Sequence, residues 1–391
     1  MAVARIATSI ADVPAAEWNA LAQGGVPFLR HEFLAALEST GRVGGKTGWT
    51  PAHVTLRDES NRLIGAVPLY AKAHSWGEFV FDFSWAQAYA RYGDAYYPKL
   101  IAATPYTPAT GPRLLVHPAA DASATRAALA RTLVAYAETV GASSVHVQFP
   151  TATEAAELTG LEWLPRLDCQ FHWTNPGYAD FDDFLATFTA EKRKKAKRER
   201  RRVQEAGIRF EIRAGADLDL ATWTRVHALH AGTFHRHGHE PYLSLDFFRT
   251  VSETLPEALK VVLAIREQEI VATAILFEGA DTLYGRYWGA DGDYHSLHFE
   301  TCYHQGVEYA IRRGLKRFEP GTQGEHKIAR GFAPTLTHAA HYILEPGYRR
   351  AIAAFLREER AHIERYHAAA SDHTPFKALP DTELVVPDGP A

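Results

Sequence analysis

Between residues 260 and 290 the chain reads KVVLAIREQEIVATAILFEGADTLYGRYWGA. Runs rich in Val, Ile, Leu and aromatic residues, interrupted only around Gln268 and Ala280, read as three consecutive strands. Links this short join antiparallel neighbours, because a parallel return needs a crossover of about a dozen residues or more. These three strands must therefore form much of one sheet. The first half holds a shorter counterpart, AHVTLRD at 52–58 and RLIGAVPLYAK at 62–72, joined by Glu59, Ser60 and Asn61. In each half a strand and two helices precede the hairpin, and a strand, a helix and a strand follow it. The order predicts a mixed α+β unit used twice.

With 391 residues the chain exceeds one ordinary core. The repeat divides it into 1–178, 179–346 and a terminal helix with tail at 347–391. Residues 74–113 stand apart. They are rich in Trp, Tyr, Phe, Pro and Gly with weak periodicity, which predicts an irregular lid or a pocket lining. Farther on, 122–140 reads as a helix, 143–149 and 169–175 as strands, 218–234 and 244–255 as helices, and 297–313 as one helix capped by Gly314. The two cysteines, Cys169 and Cys302, exclude a disulfide framework or a zinc ribbon and fit a reducing cytoplasm. No stretch approaches the roughly 20 apolar residues that cross a bilayer, so no membrane insertion is expected.

Charge is concentrated in one place. Nine of the eleven residues Lys192 to Arg202 are basic and one, Glu199, is acidic. That window carries +8 against a whole-chain net of −4, which leaves −12 for the remainder. Like charges this dense on a helix repel one another unless something answers them. Arg193, Lys194, Lys197 and Arg198 share a face and are the candidates for contacting phosphates. Solvation and pairing with scattered acids would also account for the run.

The densest run of chemistry is LYGRYWGADGDYHSLHFETCYHQGVEYAIRRGLKRFEPGTQGEHKIARGF, from Leu283 to Phe332. Packing requires apolar periodicity but does not require EPGTQGEHK at a strand end, and loops after strands are where scaffolds place reactive groups. Glu319 ends a short strand. His326 suits a base near neutral pH, and Lys327 suits an anion or oxyanion partner, with Arg330 one turn on. Gly321 and Gly324 allow backbone to approach a ligand, and Gln323 and Glu325 add polar contacts. His298 is preferred over Glu300, since i and i+2 on a helix diverge. Tyr287 and Trp288 lie on the strand that would align a donor. His235, His237 and His239 have alternating spacing but sit at a helix end with Gly238. No metal is assigned to them, and His237 is kept as a substrate-loop candidate.

These segments resemble those of the bacterial FemAB-like predicted N-acyltransferases of peptidoglycan biosynthesis and recognition. The carriers are LATFTAEKRKKAKRERRRVQEAGIRFEI, the 283–321 run and GTQGEHKIARGFAPTLTHAAHYI. The resemblance implies two tandem acyl-CoA N-acyltransferase (GNAT-like) domains, each with a mostly antiparallel mixed sheet flanked by helices. It also implies transfer of an activated acyl or aminoacyl group to the amine of a small molecule or peptide. No permanently bound cofactor is expected. Acyl-CoA, acyl carrier protein and aminoacyl-tRNA are the candidate donors, the last making tRNA a candidate partner. Glu319, His326 and His298 take the catalytic roles. Arg193, Lys194, Lys197, Arg198, Lys327 and Arg330 take donor phosphates, and Gly321, Gln323, Gly324, Glu325, Tyr287, Trp288 and His237 take substrate. The chain departs from CoA-binding relatives after the 281–290 strand, where Asp291 and Asp293 would repel a pyrophosphate. The alternative is a non-catalytic module on the same fold that recognises peptidoglycan fragments or nucleic acid.

Overall fold

The computed structural model describes residues 2–322 and 324–377. The first half supplies β1 (Val3–Ala7), β2 (Trp49–Pro51), β3 (His53–Arg57), β4 (Leu63–Val67), β5 (Leu69–Lys72), β6 (Lys99–Ala102), β7 (Leu115–Val116), β8 (Ser144–Gln148) and β9 (Leu164–Thr174). The second supplies β10 (Arg209–Ala214), β11 (Leu259–Arg266), β12 (Glu269–Glu278), β13 (Thr282–Ala290), β14 (Arg317–Glu319) and β15 (Ala333–Ile343). Strands β1, β3, β4 and β7 make a small sheet. The other eleven form one continuous sheet in the order β10-β11-β12-β13-β14-β9-β15-β8-β6-β5-β2. The architecture is mixed α+β, as expected, with strands of both halves joined in one sheet.

Two features of this sheet position the site. The first is its pair of parallel neighbours, β6 with β8 in one half and β13 with β14 in the other; every other described pairing in the large sheet is antiparallel. The second is an exchange at the middle. Strand β9 runs on from the first half to pair with β14, and β15 returns from the second half to lie between β9 and β8.

The two faces of the sheet are chemically unlike. Cross-strand partners share a face. The pairs Lys72–Lys99, His146–His341, Gln148–Ala339 and Ala339–Arg166, then Thr337–Asp168, Thr335–Gln170 and Tyr284–Glu319, trace one polar face across both halves. Their neighbours Leu100, Val145, Val147, Ala340, Phe171, Trp173, Phe318 and Leu283 point the other way, into apolar clusters. Much of the polar face is buried too, Lys72, Lys99, His146, His341, Gln148, Gln170, Thr337 and Glu319 among it, while Asp168 is exposed. The helix Pro346–Ser371 packs along β9 and β15. Arg166 on that face grips Glu359 of this helix with two bonds of 2.7 and 2.8 Å.

Several local expectations change. The strand expected over 62–72 breaks at Pro68, which cannot donate a ladder bond, and its two parts enter different sheets. Residues 74–113 contain a helix, Phe83–Arg91, and a buried strand, β6, besides irregular backbone. The helix expected over 297–313 is interrupted by a π turn, Glu300–His304. Gly314 does cap it, in the left-handed region at φ 68°.

Candidate active site

Strands β13 and β14 pair over three positions only, Thr282–Arg317, Leu283–Phe318 and Tyr284–Glu319. Pro320 follows, and having no N–H it cannot extend the ladder. On the other side of β13 the register to β12 slips, so that Gly285 opposes Leu276 and Tyr287 opposes Ile275. Arg286 is the extra residue of this bulge, a device that re-aims a side chain beside a site. Glycine at 285 suits this close approach, because a Cβ would stand 3.2 Å from the Pro320 Cα.

The loop 103–113 of the first half fills the space above. It is buried almost throughout, so its backbone polar groups need partners. Buried Arg113 supplies several, donating to the carbonyls of Ala109 (2.6 Å), Gly111 (3.0 Å), Pro112 (3.2 Å) and Gln148 (2.8 Å). Gln170 donates to the Pro108 carbonyl at 3.2 Å, and Arg286 Nη2 to the Tyr106 carbonyl at 2.9 Å. The Thr110 N–H points at Glu319 Oε2, 3.4 Å away.

Glu319 is thus a carboxyl with little solvent and one weak donor; only 7% of it is exposed. Burial raises its pKa to about 7, against the lowering pull of the Thr110 N–H and of Arg317, Arg286 and Arg113. A carboxyl poised there exchanges protons at physiological pH, as a general base must. Lys327, 2% exposed, donates to the Gly321 carbonyl at 2.7 Å, and burial brings its pKa down to about 8. Gly321, at φ 101°, and Gly324, at φ 115°, shape the intervening turn. A Cβ on Gly324 would meet the His326 ring at 2.3 Å.

His326 Nε2 lies 2.8 Å from the Tyr303 hydroxyl. His298 packs 5.4 Å from the Tyr303 ring and 6.0 Å from His326, with Trp288 at 5.1 Å on its other side. Burial pushes the His298 pKa down to about 4, so it is neutral near pH 7. Glu300 diverges from it and pairs with Arg200 at 3.1 Å. Cys302 is held protonated, since burial pushes its thiol well up.

The structure therefore gathers Glu319, Gly321, Gly324 and Lys327 at the parting of β13 and β14, and gathers His298, Trp288 and His326 around Tyr303. Gln323 lies outside the described residues. Arg330 is committed elsewhere: its guanidinium donates to the His326 carbonyl and to Glu199, both bonds to 2.7–2.8 Å, over the Phe299 ring. Glu325 is exposed and accepts from Tyr366 at 2.8 Å. Tyr287 packs into aromatic core with His230 and Phe248. His237 caps a helix end in solvent, and His235 pairs with Glu240 at 3.3 Å. Among the described residues no cluster of His, Cys, Asp and Glu could hold a metal ion.

The four cations chosen on the basic helix, Ala190–Glu205, are not brought to Glu319. This helix is anchored through Glu199, its one inward acid, which meets Arg330 at 2.8 Å and His304 at 3.5 Å. At 100° per residue Lys194 and Lys197 fall on the far side from Glu199, and Arg193 and Arg198 on the flanks. Lys194, Lys197 and Arg198 are exposed there, and Lys197 reaches Asp182 at 2.9 Å. Arg200 and Gln204 of the helix instead edge a groove of about 410 Å³ with Arg209 and Arg312. After β13, Asp291 pairs with Arg225 at 3.0 Å, so one of the two carboxylates in that loop is answered by protein. Arg286, Thr110 and Gln170 escaped the sequence reading. The one local signal was a glycine inside an aromatic strand, YGRY, which marks a bulge.

A family model described as FemAB-like, peptidoglycan biosynthesis/recognition, matches residues 9–378. No curated protein matches the chain. Among solved structures, FemX superposes with TM-score 0.54 at 11% identity, covering 87% of this chain and 98% of its own. The C-terminal domain of a protein named as a lysylphosphatidylglycerol synthetase from Agrobacterium fabrum gives 0.53 at 11% identity, covering 90% and 97%. A Bacteroides thetaiotaomicron protein of unknown function gives 0.50 at 12% identity, covering 88% and 100%. At these identities the likeness speaks for the fold.

Proposed function

The chain belongs to the FemAB-like family, and on that premise we propose that it transfers an activated acyl or aminoacyl group to an amine at the parting of β13 and β14. The observation that carries this reading is Glu319, a buried carboxyl with a pKa near 7 where two parallel strands separate. An acceptor arriving as an ammonium gives a proton to the Glu319 carboxylate. The neutral amine then attacks the acyl carbonyl. Lys327, buried and with its pKa brought down to about 8, is the group available to oppose the developing oxyanion. The tetrahedral species collapses as the leaving oxygen or sulfur departs with the second amine proton. Glu319 then returns its proton to solvent.

The donor in this reading is an aminoacyl ester or a carrier-bound acyl group in preference to free acyl-CoA. Asp291 and Asp293 occupy the loop where a CoA pyrophosphate would need backbone N–H groups and no anions. Peptidoglycan fragments bearing an amine are the acceptor class, following the description of the family.

The test is transfer from radiolabelled aminoacyl-tRNA, acyl carrier protein and acyl-CoA to amine-bearing muropeptides. Glu319→Gln should lower kcat by about 10²-fold or more, the usual scale of general-base catalysis. Full activity of that variant sinks the assignment of the base, and muropeptide binding with no transfer from any donor sinks the enzyme reading.

A further inference from the structure

We propose that Arg286 and Glu319 are the two poles of a subsite for a zwitterionic acceptor, an amine carrying a carboxylate close by. This rests on the transfer reading above and adds the class of molecule that the site selects.

Arg286 and Glu319 lie on adjacent strands, two residues apart in register: Tyr284 is the direct partner of Glu319, and Arg286 is the bulged residue beyond it. Opposite charges this close in a buried setting ordinarily pair. Among the described residues, no hydrogen bond or ion pair joins these two. Each is tied to the same buried loop, Glu319 by the Thr110 N–H and Arg286 by the Tyr106 carbonyl. The loop holds the two charges apart.

Arg286 is only partly buried, with its guanidinium 5.8 Å from the Tyr287 ring centre. Among the described residues the hydrogen bond to the Tyr106 carbonyl occupies Nη2 alone, which leaves donors on Nε and Nη1 for a ligand. The other three arginines of the region are engaged elsewhere. Arg113 donates to four carbonyls, Arg330 to a carbonyl and to Glu199, and Arg317 to Thr282 and Asp281. A planar guanidinium edge is shaped for a carboxylate, which it binds through two parallel bonds. A simple amine would satisfy Glu319 and leave this cation unanswered. An α-amino acid, or a peptide end in which ammonium and carboxylate are neighbours, would answer both. In the transfer step the carboxylate stays on Arg286 while the ammonium proton moves to Glu319. The acceptor is thus oriented before it becomes nucleophilic.

The experiment is calorimetric titration of the full chain, without donor, by L-lysine, L-lysinamide and cadaverine. The second lacks the carboxylate charge and the third the whole group. Lysine is expected to bind at least about tenfold more tightly than either, the scale of one charge-assisted contact. Arg286→Gln should remove that preference while leaving cadaverine affinity unchanged, and Arg286→Lys should restore part of it. Equal binding of the three probes, no binding of lysine, or an equal loss for lysine and cadaverine in Arg286→Gln would overturn the proposal. Since binding is read without turnover, failure here is distinct from failure of the Glu319 rate test.

Discussion

The two parallel strand pairs occupy equivalent places in the two halves and treat buried charge in opposite ways. At β6 and β8, Lys99 is fully buried and donates to Ser75 and Glu78 at 2.8 Å each and to Asp82. Asp82 also accepts from Ser75 at 2.5 Å and Tyr96 at 2.6 Å. Lys99 and Asp82 are thus answered within the cluster, and one oxygen, Glu78 Oε1, is left without a partner among the described residues. At β13 and β14, Glu319 and Arg286 face the same interior, and each is left with bonding capacity. The comparison teaches that one scaffold position can be sealed for stability or held open for a ligand. What decides is whether the covering segment brings counter-charges or only backbone.

The largest effect should come from unsealing the first pair. Lys99→Met leaves Asp82 and Glu78 buried without their cation, and breaking such a group typically costs about 3–5 kcal/mol. Urea unfolding should report a loss on that scale; a loss under about 1 kcal/mol would mean that the cluster is not sealed as described.

Next is Glu319→Gln, which should act in the opposite sense on stability. The folded-state pKa of about 7 lies above the ordinary glutamate value of 4.5, so the wild-type carboxyl binds its proton more tightly when folded. That contribution is intact below 4.5 and is lost as pH rises through 7. The variant should therefore gain on wild type by up to about 3 kcal/mol at pH 8, with little gain at pH 5. Chemical denaturation at the two pH values measures it, and an equal difference at both would refute the burial argument. In turnover, wild-type kcat/KM should rise with pH to a plateau above about 7.

A smaller loss, about 1–3 kcal/mol, is expected for Glu199→Gln, which strips Arg330 and His304 of their carboxylate. Hydrogen exchange should quicken around 325–330 if this anchor holds the loop, and unchanged protection there would separate the two. The smallest effect belongs to the double charge reversal Lys194→Glu, Lys197→Glu. Both residues are exposed and, among the described residues, only Lys197 has an acidic partner, so stability should shift by no more than about 1 kcal/mol. Affinity for a tRNA-borne donor should fall sharply in the same protein; unchanged affinity would remove this face from recruitment.

The sequence carried the local half of this picture. Period and punctuation found β11 to β13, the Gly314 cap and the strand ending at Glu319, since each depends on a few neighbouring residues. What it could not carry was pairing at a distance. Thr110 meets Glu319 across 209 positions, and nothing in TPYTPATGPR announces that its backbone will roof a site in the other half. Glu199 looked like one acid diluted among cations. Only the packed helix reveals it as the inward anchor, which turns the chosen cations outward. Arg286 was hidden because a bulge depends on its partner strand as well as on its own.

The exchange of β9 and β15 has a consequence for how the protein is made. A ribosome delivers β8 and β9 long before β15, the strand that must fit between them. Until about residue 343 has emerged, both strands present open hydrogen-bonding edges in the middle of the future sheet. A chain truncated before that point has no finished first half to keep. The nascent molecule offers these edges to other chains until β15 has been made.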